Sequence, residues 1–244
     1  MDEQIIKKAL NSTKKKRQIL LTKAISLIAE GVLIHDPERI DIRGSLVCGK
    51  NVEIDINVII EGDVELGNGV SIGANCILRN CRISDKTQVH PYSLIEESII
   101  GKRNFIGPYS RLRPNSVIEN DVQIGNYVEV KNSKIASKCR INHHSFVGDA
   151  VLEMGVTLGA GTITCNHDGF KINTIKIGEG AYIGSGSNLV APLNINARST
   201  IASGSTITDD VNSGTLVIAR SRQVTIEGWN GPKSQRTFKD TSKK

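Results

Sequence analysis

Residues 42–77, IRGSLVCGKNVEIDINVIIEGDVELGNGVSIGANCI, divide into six units of equal length with one shared pattern. Ile42, Cys48, Ile54, Ile60, Leu66 and Ile72 lead the units, and Leu46, Val52, Val58, Val64, Val70 and Cys76 stand four places on. A unit this short cannot bury its own aliphatic side chain. Each must lie against copies of itself one coil above and one coil below, so stability becomes a sum over neighbours along a rod. An ordinary sandwich of short strands would instead show turn signals roughly every 8–12 residues.

Outward from this stretch the pattern slips by one residue at Ile83, Ile100, Ile135 and Leu152, and otherwise holds through Leu158. It resumes at Ile177, Ile183, Leu189, Ile195, Ile201 and Ile207, giving roughly 27 units, or about nine coils of three. The residue after the leader is often glycine, as at Gly49, Gly67, Gly73, Gly125, Gly159 and Gly184. Such a position is either a corner that would crowd a side chain or one that needs positive φ. The fold class read from this pattern is all-β, a parallel β-helix of hexapeptide repeats with a short N-terminal helix.

Three regions follow: a helical arm over 1–38, the β-helix over 39–212, and a cap with a basic tail over 213–244. Within the arm, Ile19, Leu20, Ala24, Ile25, Leu27 and Ile28 recur at helical spacing, predicting a helix from about residue 14 to 30 that stops near Gly31. Residues 164–176 do not fit a hexad and are expected to leave the rod as a loop, a natural place for half of a ligand site. After about Asn212 the repeat stops, and the tail carrying Trp229 is expected to cap the last coil before becoming disordered.

The chain has 244 residues but only four Phe, four Tyr and one Trp, so aliphatic stacking must replace aromatic packing in its core. A formal charge of +6, dispersed except near the ends, suits phosphorylated small molecules better than nucleic acid. The Lys14-Lys15-Lys16-Arg17 run reads as a solvated helix start. Five cysteines without a CxxC pair read as reduced thiols. Charges scattered through the amino end leave no apolar run long enough for a signal peptide or membrane span, so a soluble, cytoplasmic protein is expected.

Chemistry concentrates in RINHHSFVGDAVLEMGVTLGAGTITCN, residues 140–166. Alternation turns Ile141 and Ser145 inward, which leaves His143 and His144 at a corner and Phe146 on an outer face. Residues 17–18 apart should stack, so Arg113, Lys131 and Asp149 are expected to form one ladder, with two cations able to fix a phosphate or carboxylate beside an imidazole base. A three-histidine zinc site would have to be assembled across subunits from irregularly spaced residues, and no metal is expected. Cys165 beside His167 is a weaker nucleophile candidate, because no third orienting group is evident.

The segments EIDINVIIEGDVELG, IGPYSRLRP, IGNYVEVKNS, HHSFVGDA, GAGTITCN, YIGS and LVAP resemble the acetyltransferase half of the bifunctional bacterial enzyme that N-acetylates glucosamine 1-phosphate and then uridylylates it. The likeness covers about residues 30–230. It implies a left-handed coil, although the ordinary crossover rule favours the right hand. It also implies a homotrimer of parallel rods with shared sites, acetyl-CoA as co-substrate and no catalytic metal. Carried over residue by residue, His143 matches the general base, and Arg113 and Lys131 match contacts to the sugar phosphate. On the acetyl-CoA side, Ala160, Asn166, Ser185 and Arg220 match or replace pocket positions, with Ser203 where alanine is common and His167 where tyrosine is common.

Three positions depart from that family: Phe146 stands for a sugar-contacting tyrosine, Thr157 for an asparagine, and Ile172 for a lysine that reaches the phosphate. Each lost hydrogen bond is worth roughly 0.5–3 kcal/mol, and a total of about 4 kcal/mol is a factor near 10³ in affinity. Lys171 could restore part of the lost charge. No uridylyltransferase domain accompanies the repeat, so nucleotide transfer is not expected from this chain. The resulting expectation is an acetyl-CoA-dependent N-acetyltransferase acting on a phosphorylated or nucleotide-linked amino sugar in cell-envelope precursor synthesis. The rivals are the parent family's own glucosamine-1-phosphate reaction, an O-acetyltransferase, and a catalytically silent scaffold. No nucleic-acid or membrane partner is expected.

Overall fold

A computed structural model describes residues 3–229. Parallel strands of two to eight residues wind into a β-helix with three faces. The first face is an 11-stranded sheet that begins at Leu33–Ile34 and ends at Leu216–Val217. The second and third faces are fused where Ile59–Leu66 and Ile77–Ile83 run continuously around a corner. The rod is thus longer than the expected nine coils. Its first rung, Leu33–Ile34, precedes the clear repeat, and its last, paired through Thr200↔Leu216 and Ile201↔Val217, lies beyond residue 212.

The hexad pattern sets burial directly. On the first face Ile54, Ile72, Val89, Ile106, Ile124, Ile141, Leu158, Ile183 and Ile201 stack in register and are buried. Each such side chain removed from water contributes about 1.5–3 kcal/mol before conformational entropy is counted. Ser110, Ser133, Ser145, Thr162 and Ser187 turn inward at the corners, where each hydroxyl donates to a backbone carbonyl.

Both reasons offered for the recurrent glycines occur, at different positions. A Cβ on Gly125, Gly159 or Gly184 would come within 2.0, 2.5 and 2.4 Å of the next coil, so crowding fixes these leader-following glycines. Positive φ falls instead at a neighbouring corner position, occupied by Asn57, Asn75, Tyr92, Tyr109, Tyr127 and His144 in successive coils.

Helix α1 spans Glu3–Ala29, beginning well before the predicted start near residue 14. Its amino half lacks a buried apolar stripe, which hid it from periodicity, whereas Ala24 and Leu27 are buried against the first coil. Arg17 pairs with Asp41 at 2.6 Å, and Lys23 donates to the carbonyls of Ile42 and Gly44. No helix among the described residues is long and apolar enough to cross a membrane. Residues 230–244, where disorder was expected, lie outside those described.

Candidate active site

His143 ends the first-face strand Arg140–His143, and His144 follows it in the left-handed region at φ 46°. Both rings are exposed, because Ile141 and Ser145 take the inward places on either side. Asn126 lies in register one coil below, and its Oδ1 is 2.7 Å from His143 Nδ1. Tyr127 meanwhile stacks against His144, with ring centroids 4.9 Å apart. That stack continues through Tyr109 and Tyr92 at 5.3 and 4.8 Å.

Above His143 the same corner changes character. The Gly161 amide donates to the His143 carbonyl, Gly186 to that of Ala160, and Gly204 to that of Ser185. Ala160, Ser185 and Ser203 therefore continue the column of His143, with Gly161, Gly186 and Gly204 in the column of His144. These glycines have φ of 74°, 69° and 73°. A Cβ on Gly161 or Gly186 would find its nearest neighbours at 3.7 and 4.0 Å. A Cβ would therefore fit at these positions in ordinary contact, whereas at Gly159 and Gly184 it would clash. Arg220 reaches the end of this column, its Cδ lying 3.7 Å from the Cβ position of Gly204. Four residues proposed for the co-substrate, Ala160, Ser185, Ser203 and Arg220, thus gather along one corner with His143.

The second face carries the charges. Arg43, Glu61, Arg79 and Glu96 succeed one another coil by coil with alternating sign, and Arg79 is 2.5 Å from both carboxylates. Alternation fails at the next two rungs, where Arg113 is followed by Lys131. Arg113 is held by Glu129 at 2.7 Å, whereas Lys131 has no carboxylate within salt-bridge distance among the described residues. Two successive cations with one counter-charge leave a local excess that suits a phosphate or carboxylate. Phe146 lies in register with Glu129, and its ring covers Gly148, where a Cβ would approach Cζ to 2.5 Å.

Asp149 does not complete the expected ladder. The slip at Ile135 shortens that coil by one residue, so Lys131 pairs with Gly148 and Asp149 falls beside Asn132. Asp149 is buried and accepts from the side-chain amides of Asn132 below and Asn166 above, tying down the base of the loop.

That loop is shorter than the 164–176 read from sequence, since strands Ile163–Cys165 and Ile175–Ile177 flank it. It forms a small hairpin with an antiparallel bridge between His167 and Ile172. Asp168 accepts from the amides of Lys171 and Phe170 at 2.9 Å and from Asn173 Nδ2 at 3.0 Å. These bonds lower its carboxyl pKa to about 2, so their contribution is present at neutral pH and is lost as pH falls toward that value. Phe170 projects from the tip, 96% exposed.

Within one chain, Asn166, His167 and Ile172 stand one corner away from His143, separated by strand Phe146–Gly148, which spans about 10 Å. Thr157 lies on the outer side of the first face between Arg140 and Tyr182, and Phe146 on the second face, so they flank the corner. His167 Nδ1 accepts from the Gly169 amide at 3.0 Å. Burial pushes the Cys76 and Cys139 thiols up to about 11 and that of Cys81 to about 12, as expected for inert core thiols.

The class defined by this geometry is a hexapeptide-repeat β-helix with an exposed histidine at one corner and a small-residue groove rising from it. The GMPPB C-terminal domain family matches residues 42–116. The chain is 48% identical over 210 residues to the bifunctional protein GlmU of Azoarcus sp., covering 86% of this chain and 46% of that one. It is 46% identical over 220 residues to GlmU of Chromobacterium violaceum, covering 90% and 48%. The chain spans about half the length of the curated relatives it matches.

Among solved structures, similarity extends to the UDP-N-acetylglucosamine acyltransferase of Campylobacter jejuni, at 17% identity over 76% of this chain and 69% of that one, TM-score 0.41. A mutant perosamine N-acetyltransferase of Caulobacter crescentus in complex with CoA and GDP-perosamine matches at 20% identity over 55% and 53%, TM-score 0.39.

Sequence reasoning missed Asn126. The available signal was its 17-residue offset from His143, one coil of the local repeat.

Proposed function

We propose that this protein is an acetyl-CoA-dependent N-acetyltransferase acting on a phosphorylated or nucleotide-linked amino sugar. The observation that carries the reading is the column His143, Ala160, Ser185 and Ser203, flanked by Gly161, Gly186 and Gly204 and ending at Arg220. A thin, extended pantetheine arm fits a groove floored by small residues, and Arg220 at its far end suits a phosphate. The similarity to GlmU supports the same assignment.

In this reading His143 Nε2 takes a proton from the acceptor's neutral amine as that amine attacks the thioester. The amine nitrogen bonds to the thioester carbonyl carbon, the carbon–sulfur bond breaks, and the proton passes to the departing CoA thiolate. Orientation along the rigid column supplies much of the rate, with the base contributing the remainder. Arg113 and Lys131 hold the acceptor's phosphate, and Phe146 packs against its sugar.

The active unit is a homotrimer. Asn166, His167 and Ile172 stand one strand away from the His143 corner of their own chain, and side-by-side rods would bring one subunit's loop corner to another's histidine corner. Phe146, Thr157 and Ile172 favour an acceptor with a less polar edge than glucosamine 1-phosphate.

The test is release of free thiol from acetyl-CoA with purified protein and a panel of amino sugars, alongside sedimentation. A trimer that acetylates deoxy or nucleotide-linked amino sugars is expected. A kcat/KM for glucosamine 1-phosphate of roughly 10⁴ M⁻¹s⁻¹ or more would instead assign the parent family's own reaction. No turnover with any amine, or a monomer at micromolar concentration, would remove the shared-site reading.

A further inference from the structure

A base that acts through Nε2 must carry its proton on Nδ1, whereas a free histidine side chain in water favours the opposite tautomer. Something must therefore select the less favoured form. The tautomer is set by the hydrogen bond that the other ring nitrogen makes. The groups around His143 narrow the choice. Glu129, the carboxylate of the neighbouring coil on the second face, is engaged by Arg113 at 2.7 Å. Ser145 Oγ donates to the His143 carbonyl and does not meet the ring. Asn126 Oδ1, at 2.7 Å from Nδ1, is the ring's polar partner.

We propose that Asn126 is a positioning residue that holds His143 in the Nδ1–H tautomer, and that Tyr127 steadies the same corner through its stack on His144. This deepens the reading of His143 as general base and rests on it.

The geometry provides two grips between consecutive coils. Asn126 and His143 are backbone register partners, so their side chains leave the corner in parallel and meet at 2.7 Å. One residue on, Tyr127 and His144 both have positive φ, at 55° and 46°, and their rings lie 4.9 Å apart. Side chains other than glycine are disfavoured in that region, and the stack offsets part of the cost. With Oδ1 accepting, Nδ1 is a donor, and the Nε2 lone pair points away from the lower coil. An amide fixes the tautomer without adding charge, unlike a carboxylate, which would also favour the imidazolium.

The experiment uses the full-length protein labelled with ¹⁵N-histidine. Long-range ¹H–¹⁵N correlations identify the tautomer of neutral His143, assigned by loss of its signals in His143→Gln. The expected result is protonated Nδ1 and bare Nε2 in the parent protein. Asn126→Ala should shift the population toward Nε2–H, and Asn126→Asp should retain Nδ1–H while raising the pH at which the ring loses its charge. Circular dichroism checks that each variant is folded.

In the acetyl-transfer assay, Asn126→Ala should lower kcat on the order of tenfold, as for loss of one good hydrogen bond, with KM for both substrates unchanged. A parent protein in the Nε2–H form, or an Asn126→Ala tautomer identical to the parent's, would overturn the proposal. The spectroscopic arm reads the tautomer whether or not an acceptor is acetylated, so failure of the enzymatic reading would show separately, as absent turnover with the tautomer as expected.

Discussion

The same corner of the rod is built in two ways. Below His143 the left-handed position holds Tyr92, Tyr109, Tyr127 and His144, ring on ring at 4.8–5.3 Å. Above it the equivalent position holds Gly161, Gly186 and Gly204, with φ between 69° and 74°. The backbone conformation is shared, but the occupant is not. Below His143, stacking offsets the strain of a bulky residue at positive φ. Above it, glycine satisfies the same φ and leaves the surface without side chains. The histidine pair sits at the change from one solution to the other.

Removing the proposed base gives the largest expected effect. His143→Ala should lower turnover by about 10²–10⁴-fold in the thiol-release assay with the fold intact, while His144→Ala does much less. The reverse order would place the base on the wrong side of the corner.

Extending the lower solution into the upper region tests the groove directly. Gly186→Tyr should be accommodated by the backbone, since Tyr109 already holds φ 57° at the equivalent position, yet it should obstruct the column. KM for acetyl-CoA should rise roughly 30- to 100-fold, equivalent to about 2–3 kcal/mol of lost binding, with the thermal transition little changed. Unchanged KM would mean that the co-substrate does not follow the glycines.

Removing Lys131 comes next. Lys131→Ala should raise KM for a phosphorylated acceptor by roughly tenfold or more, as for a charge-assisted hydrogen bond, and leave an unphosphorylated amino sugar unaffected. Equal effects on both would remove the phosphate from the second face.

The smallest effect concerns the aromatic stack. Tyr109→Ala should destabilise the protein by about 1–2 kcal/mol in denaturant unfolding, because two ring contacts disappear while positive φ remains. Tyr109→Gly should cost less, since glycine relieves the backbone strain that alanine keeps. If Ala and Gly prove equal, φ at this corner is not a source of strain.

The fold and the site were legible in the sequence to different depths. Ile54, Ile72, Ile141 and Ile183 announced the rod, because a period of six placed on three faces turns the same position inward at every rung. His143 could be singled out because Ile141 and Ser145 had already claimed the interior. The ladder of Arg113, Lys131 and Asp149 failed for a related reason: a single slip at Ile135 moved Asp149 beside Asn132, and counting in steps of 17–18 cannot say which of two adjacent residues a slip displaces. The residues Ala160, Ser185 and Ser203 were named through resemblance alone, because the loop after Cys165 lengthens one coil and breaks the count that would have stacked them.

The sequence alone determined the repeat, the inward aliphatic ladder, the corner histidines and the place where a loop leaves the rod, since each depends on local pattern and nearest neighbours. Tertiary structure decided which side chains meet across coils. Asn126 faces His143, Tyr127 stacks on His144, Glu129 is spent on Arg113, and Asp149 clamps the loop. Those contacts depend on the register between rungs, in which a shift of one residue changes every partner, and register is a property of the packed coil rather than of any single hexad.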